Sequence, residues 1–220
     1  MREALAEEFT FEAAIGGPRG VVESLLPGTV FTVFYAFGHD LRLSVLAALV
    51  PAVLLAVWRL VRREPLTQAV AGVLGIALGA VVALRTGRAQ DFFVPGLVKN
   101  AGFTALYAVS ALVRWPLIGL LLGILLGEGT HWRRVPQRMR AYLLATWLWA
   151  AMFALRTVVQ AWLYSRGDAV SLGFVNIVLG LPLFALTIGG TWLIVRRVPV
   201  AHRTEAPTPG AVPPDPVAAD

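Results

Sequence analysis

Long apolar runs separated by short polar breaks fill most of this chain, and their lengths predict the fold. A helix rises about 1.5 Å per residue, so roughly 20 apolar residues cross a hydrocarbon core of about 30 Å. On that scale six runs predict full spans: 21–37, 41–61, 66–84, 92–113, 141–164 and 172–195. The first is weakened by Glu23 and by Pro27-Gly28, and the sixth is expected to bend near Pro182. A shorter run, 117–127, reaches only about half the core and predicts a re-entrant or interfacial helix. Residues 1–15 carry Leu5, Phe9 and Ala13 at helical spacing, and Gly16-Gly17-Pro18-Arg19-Gly20 then breaks that amphipathic segment. From Ala201 the Pro-rich sequence predicts a disordered tail. The expected fold class is all-α, a polytopic membrane helix bundle of six transmembrane helices plus one short re-entrant or interfacial helix. Its parts are a cytoplasmic N-terminal segment and turn over 1–20, a membrane domain over 21–197, and a cytoplasmic tail over 198–220.

Charge orients the bundle. With both termini cytoplasmic, thirteen arginines fall on the inner side and four (Arg42, Arg85, Arg88 and Arg166) on the outer, leaving Lys99 and Arg156 inside spans. That is the positive-inside pattern. Full crossing by 117–127 would put the cluster from Arg133 to Arg140 outside, which argues against a seventh span. The composition agrees, since 57% of residues are hydrophobic and 15% charged, against roughly 25% charged in soluble domains. A net charge of +6 flanks the apolar runs rather than massing on a soluble face, so a nucleic-acid partner is not expected. The acidic N-terminus, with Glu3, Glu7, Glu8 and Glu12, lacks a secretory signal pattern, so insertion is expected to begin at the first span. With Lys99 the one lysine, and Ala, Gly and Val abundant, a GC-rich bacterial source and its plasma membrane are expected.

Candidate chemistry is sparse. On the fifth span Tyr142, Thr146, Trp149, Phe153, Arg156 and Gln160 recur every three or four residues and form one polar and aromatic stripe. Leu144, Leu148, Ala151, Leu155, Val159 and Trp162 form the opposite face, expected toward lipid. Lys99, Phe103, Tyr107, Ser110 and Arg114 align on the fourth span, and Gly173, Asn176, Gly180, Phe184, Thr187 and Thr191 on the sixth. A guanidinium inside a span costs at least a few kcal/mol and marks an interior or a water-filled cavity. Depth places Arg156 and Lys99 together in the outer half, near the loop that carries Arg85, Arg88 and Asp91. Two readings follow. In one, Arg156, Lys99, Gln160, Arg88 and Asp91 bound an outward-facing pocket for a phosphate or carboxylate. In the other, Arg156 and Lys99 pair with Asp91 and backbone carbonyls to hold helices in register. Glu23 is an intramembrane acid near the inner face, with proton coupling and a helix-start role both open. Gly75 and Gly79, and Gly119, Gly123 and Gly127, permit close helix approach, within the chain or between copies. His39, His131 and His202 have no metal-site spacing, no cysteine is present, and no nucleophile–base pair appears. No metal, cofactor or enzymatic activity is expected.

Six strings carry a family resemblance: IGGPRGVVESLLPG, REPLTQAVAGVLG, RTGRAQDFFVPG, SALVRWPLIG, TWLWAAMFALRTVVQ and LGLPLF. Together, over roughly Ile15 to Phe184, they resemble an actinobacterial family of integral membrane proteins known as the domain of unknown function DUF3159. Glu23, Asp91, Arg114, Arg156 and Gln160 fall within those strings. The family has no assigned activity, so the resemblance implies a membrane bundle and no catalytic residues. LPGTVFTVFYAF, VRWPLIGLLLG and TWLWAAMF are also similar to the intracellular septation protein A family, multi-pass components of envelope synthesis and division. Two functions are therefore expected in competition. One is binding or transport of an anionic ligand at the Lys99 and Arg156 site. The alternative is a non-enzymatic scaffold for envelope assembly or division, whose glycine faces and basic inner loop contact envelope proteins and anionic lipid.

Overall fold

A computed structural model describes residues 17–38, 40–62, 66–127 and 129–196, with side chains placed from residue 26 onward apart from 59 and 66–72. The expected amphipathic segment, the Pro-rich tail and the Glu23 side chain lie outside the described residues. Among the described residues the protein is all-α, with eight α-helices, two 3₁₀ turns and no strand. The helices are α1 (Gly17–Gly38), α2 (Leu41–Val61), α3 (Leu66–Thr86), α4 (Val94–Leu112), α5 (Leu117–Leu125), α6 (Pro136–Ser165), α7 (Ala169–Val178) and α8 (Leu181–Val195). Four stretches are long and apolar enough to cross a bilayer: 41–58, 89–112, 136–165 and 169–195. This is the make-up of a membrane protein.

Local chemistry sets the element ends. Asp40 caps α2 by accepting the Leu43 N–H at 3.0 Å, and Asp168 caps α7 by accepting that of Ser171 at 2.9 Å. Both satisfy donors that a helix start leaves unpaired. The turn from α6 into α7 passes through Gly167 at φ 71°, a left-handed conformation that glycine takes without steric cost. Hydrogen bonds from the Ser171 side chain and backbone hold the Asp168 carboxyl below the ordinary carboxylate range. A folded-state value below the unfolded one stabilises above the unfolded value, and the gain disappears as acid protonates the cap. Asp168→Ala is therefore expected to cost about 1 kcal/mol at neutral pH. The difference from wild type should vanish below the ordinary carboxylate range, as read by thermal unfolding across pH.

Three boundaries differ from the sequence reading. The helix α1 starts at Gly17, inside the expected Gly-Pro-Gly break, and continues through Pro27. A proline in the first turn lacks only an N–H that would be unpaired anyway. In an apolar medium the remaining backbone hydrogen bonds keep a helix continuous past an interior proline. Similarly α6 begins at Pro136, five residues before the expected span, so half of the basic loop is helical. Finally, the last apolar run is two helices, broken at Leu179–Gly180 just before Pro182.

The long helix α6 is the hub and packs against α4, α5, α7 and α8, while α1 touches α2 and α7, and α3 touches α2 and α4. Phe31, Val45, Ala48, Ala80, Ala83, Ala89, Phe92 and Ala169 form a buried cluster at one end. That cluster gathers the C-terminal halves of α1 and α3 with the starts of α2 and α7, so successive helices alternate in direction. The nine-residue α5 spans only about 14 Å. It lies on the first turns of α6, where Ile118 N–H meets the Thr146 hydroxyl at 3.4 Å. The chain then reverses, and Trp132 returns against Gly119, Gly123 and Tyr142. Gly79 likewise meets the Phe92 backbone, so Gly79, Gly119 and Gly123 serve packing within the chain.

Candidate functional site

The inner face of α6 carries a chain of polar contacts through the bundle. Asn100 of α4 donates to the Gln160 amide oxygen at 3.0 Å, and Gln160 donates to Asn176 Oδ1 of α7 at 3.3 Å. The same Asn176 oxygen accepts from Arg156 Nη2 at 3.2 Å. One turn inward, Thr104 and Thr157 hydroxyls lie 3.4 Å apart. Below them Phe103 stacks on Phe153 at 5.0 Å, Tyr107 on Trp149 at 5.8 Å, and Phe184 meets Trp149 edge-on at 5.1 Å. Trp149 also donates its indole N–H to Thr191 at 3.0 Å. Tyr142, Thr146 and Gln160 are buried and Leu144, Leu155 and Trp162 exposed, as the 3.6-residue periodicity predicts. Leu148, however, expected toward lipid, is half-buried against Gly190 of α8.

Charge is not balanced along this chain. Arg156 sits nine residues from Ser165, about 14 Å below the end of α6. Its Nη2 has the neutral Asn176 acceptor, and its buried Nε has none. Lys99, on the exposed face of α4, adjoins Asn100, whose partner Gln160 lies one turn from Arg156 on α6. Among the described residues neither cation has a carboxylate partner. Arg156 thus belongs to a polar chain of amides, while Lys99, next to Asn100 in sequence, stands on the exposed side of α4 at the level of that chain. Such an arrangement can orient an oxyanion through the guanidinium and ammonium donors, while Asn100 and Gln160 fix the arginine's neighbours.

Asp91 and Arg88 are placed elsewhere. Asp91 is 1% exposed on the 3₁₀ turn Ala89–Phe93. One carboxylate oxygen accepts from Arg88 Nε and Nη2, both at 3.1 Å, and the other from the Tyr164 hydroxyl at 2.8 Å. Arg88 Nη2 also reaches Tyr164 at 3.2 Å. The three groups form a closed clamp fastening the 3₁₀ turn to the C-terminal end of α6. The pairing of Arg156 with Asp91 is thus not the arrangement adopted. Hydrogen bonds to charged groups contribute about 1.5–3 kcal/mol each, and exposed Arg88 re-solvates when its partner is lost. Asp91→Ala should therefore destabilise by about 2–4 kcal/mol, with Tyr164→Phe about half as costly, measured by thermal unfolding.

Of the residues singled out by sequence, the fold brings Lys99, Arg156 and Gln160 into one neighbourhood and Arg88 with Asp91 into another. Sequence reading missed Asn100 and Tyr164. Asn100 is buried beside Lys99, and a small amide next to a lysine gives little periodic signal. Tyr164 lies 73 residues from Asp91, and only the helix pairing connects them. The break at Leu179–Gly180, one turn past Asn176, was signalled by Pro182.

A sequence model of the family described as a protein of unknown function, DUF3159, matches residues 15–202. No curated protein and no solved structure matches the chain.

Proposed function

We propose that this chain, which belongs to the DUF3159 family, is a non-enzymatic multi-pass membrane protein that binds an oxyanion at Arg156 and Lys99. The observation that carries the proposal is the uncompensated cation pair. Arg156 has a neutral acceptor on one nitrogen and none on buried Nε, and Lys99 adds a like charge at the level of the same polar chain. Each charge is costly at that depth, and a bound anion offsets both. The helix break at Leu179–Gly180 adds support, because broken helices near a bilayer's middle are a recurring feature of ligand sites in transporters. A six-span reading goes with this proposal. Although the apolar stretches that count most clearly are four, α1 and α3 run 22 and 21 residues, about 33 and 32 Å. Alternating helix directions and the inner arginine excess then favour cytoplasmic termini and a site reached from outside.

Equilibrium binding of radiolabelled inorganic phosphate and acetate to the purified full chain tests the proposal. Saturable binding of at least one oxyanion is expected, weakened about tenfold by Lys99→Met, equivalent to about 1.4 kcal/mol. Absence of saturable binding for both, or equal binding by Lys99→Met and wild type, would sink it.

A further inference from the structure

A second cationic site lies at the opposite end of the bundle, independent of Lys99 and Arg156. There α4 ends in a tight stop: Trp115 N–H bonds the Ser110 carbonyl at 2.9 Å and Arg114 N–H bonds that of Ala111 at 3.1 Å. The residue between those bonds normally adopts the left-handed conformation, and glycine is its usual occupant. Here it is Arg114, at φ 57°, the one non-glycine with positive φ among the described residues. That backbone costs an arginine about 1 kcal/mol relative to glycine. Strain of this kind persists where the side chain is needed.

The Arg114 side chain lines a cleft of about 680 Å³ together with Arg133, Arg134 and Arg140, with Met139 and Leu143 completing the wall. Arg133 lies 3.9 Å over the ring of exposed Trp115, which holds it at the mouth. Between residues 92 and 167 the sequence has one acid, Glu128, which lies outside the described residues. Among the described residues that line the cleft none is a carboxylate and four are arginines. Beside it Leu112 and Val113 are exposed at 68% and 58%, an apolar border where acyl chains fit.

We propose that this cleft binds the phosphate of an anionic membrane phospholipid. Several arginines lining one cleft suit a phosphate, whose oxygens accept from more than one direction. The apolar border selects a lipid over a soluble ester, and basic pockets between membrane helices are a known mode of headgroup capture.

Native mass spectrometry of the purified full chain, titrated with phosphatidylglycerol or phosphatidylcholine of matched acyl chains, tests this. Wild type is expected to bind phosphatidylglycerol about tenfold more tightly than phosphatidylcholine. Arg114→Gly should fold at least as stably, because glycine relieves the backbone strain, yet lose most of that preference. The double variant Arg133→Gln, Arg134→Gln should lose it too. Equal binding of the two lipids, or an unchanged preference in both variants, overturns the site. Binding of soluble glycerol phosphate as tight as that of phosphatidylglycerol overturns the lipid source.

Discussion

Replacing Arg156 with Met is expected to leave the protein folded while abolishing the stabilisation that inorganic phosphate gives the wild type. Met fills a similar volume and removes a charge from an apolar helix, a gain of about 2.5–3.5 kcal/mol on insertion scales. The loss is one hydrogen bond of 3.2 Å to Asn176, worth about 1.5–3 kcal/mol for a charged donor. Asn176 keeps its bond from Gln160. Those terms nearly cancel, so without ligand the melting temperature should stay within a few degrees of wild type or rise. The ligand arm is larger. At a phosphate concentration of about 100 times Kd the wild type gains about 2.7 kcal/mol, and the variant gains nothing. For a chain of this size that is roughly 5–10 °C. The opposite result, collapse of the variant together with a wild type indifferent to phosphate and acetate, would make Arg156 a structural pin.

How much of this was legible in the sequence depends on whether a feature is local. The second run, 41–61, coincides with α2 because Asp40 caps it and a polar, basic segment ends it. The polar stripe of α6 was readable because helix periodicity puts Tyr142, Thr146 and Gln160 on one face. Depth counting also put Lys99 near Arg156, since two antiparallel spans of known length fix relative height. What depth alone does not settle is partner choice at equal height. Asp91 was in range of Arg156, but its 3₁₀ turn aims it at Tyr164 and folds Arg88 back over it. Periodicity put Arg114 at the end of the fourth-span stripe, but its left-handed backbone angle carries no sequence signal. A right-handed helix start at Pro136 was hidden because a basic, polar turn of helix looks like a loop.

The crossing of α1 and α7 supplies the other large expected effect, a loss of stability in Gly173→Ala. A methyl group at residue 173 would lie 2.6 Å from Thr32 Cγ2 and 2.7 Å from Thr32 Cβ, far inside the contact distance of about 3.5–4.0 Å. Rotating Thr32 does not clear the second contact, because Cβ is fixed to the α1 backbone. Thr32 is also held by its hydroxyl bond to the Gly28 carbonyl at 2.7 Å. The helices must therefore separate, at a cost of about 1–3 kcal/mol for overpacking and more for Gly173→Leu. The same geometry specifies the rescue. Thr32→Ala retains the obstructing Cβ and should recover little, whereas Thr32→Gly removes it. Glycine inside a helix itself costs about 1 kcal/mol, so the comparison belongs in a double-mutant cycle. Thermal unfolding in detergent should show a favourable coupling between Gly173→Ala and Thr32→Gly, and near additivity with Thr32→Ala. Additivity in both pairs would mean that α1 does not lie against α7 at Gly173, and the ring of helices that carries Asn176 to Arg156 would have to be redrawn.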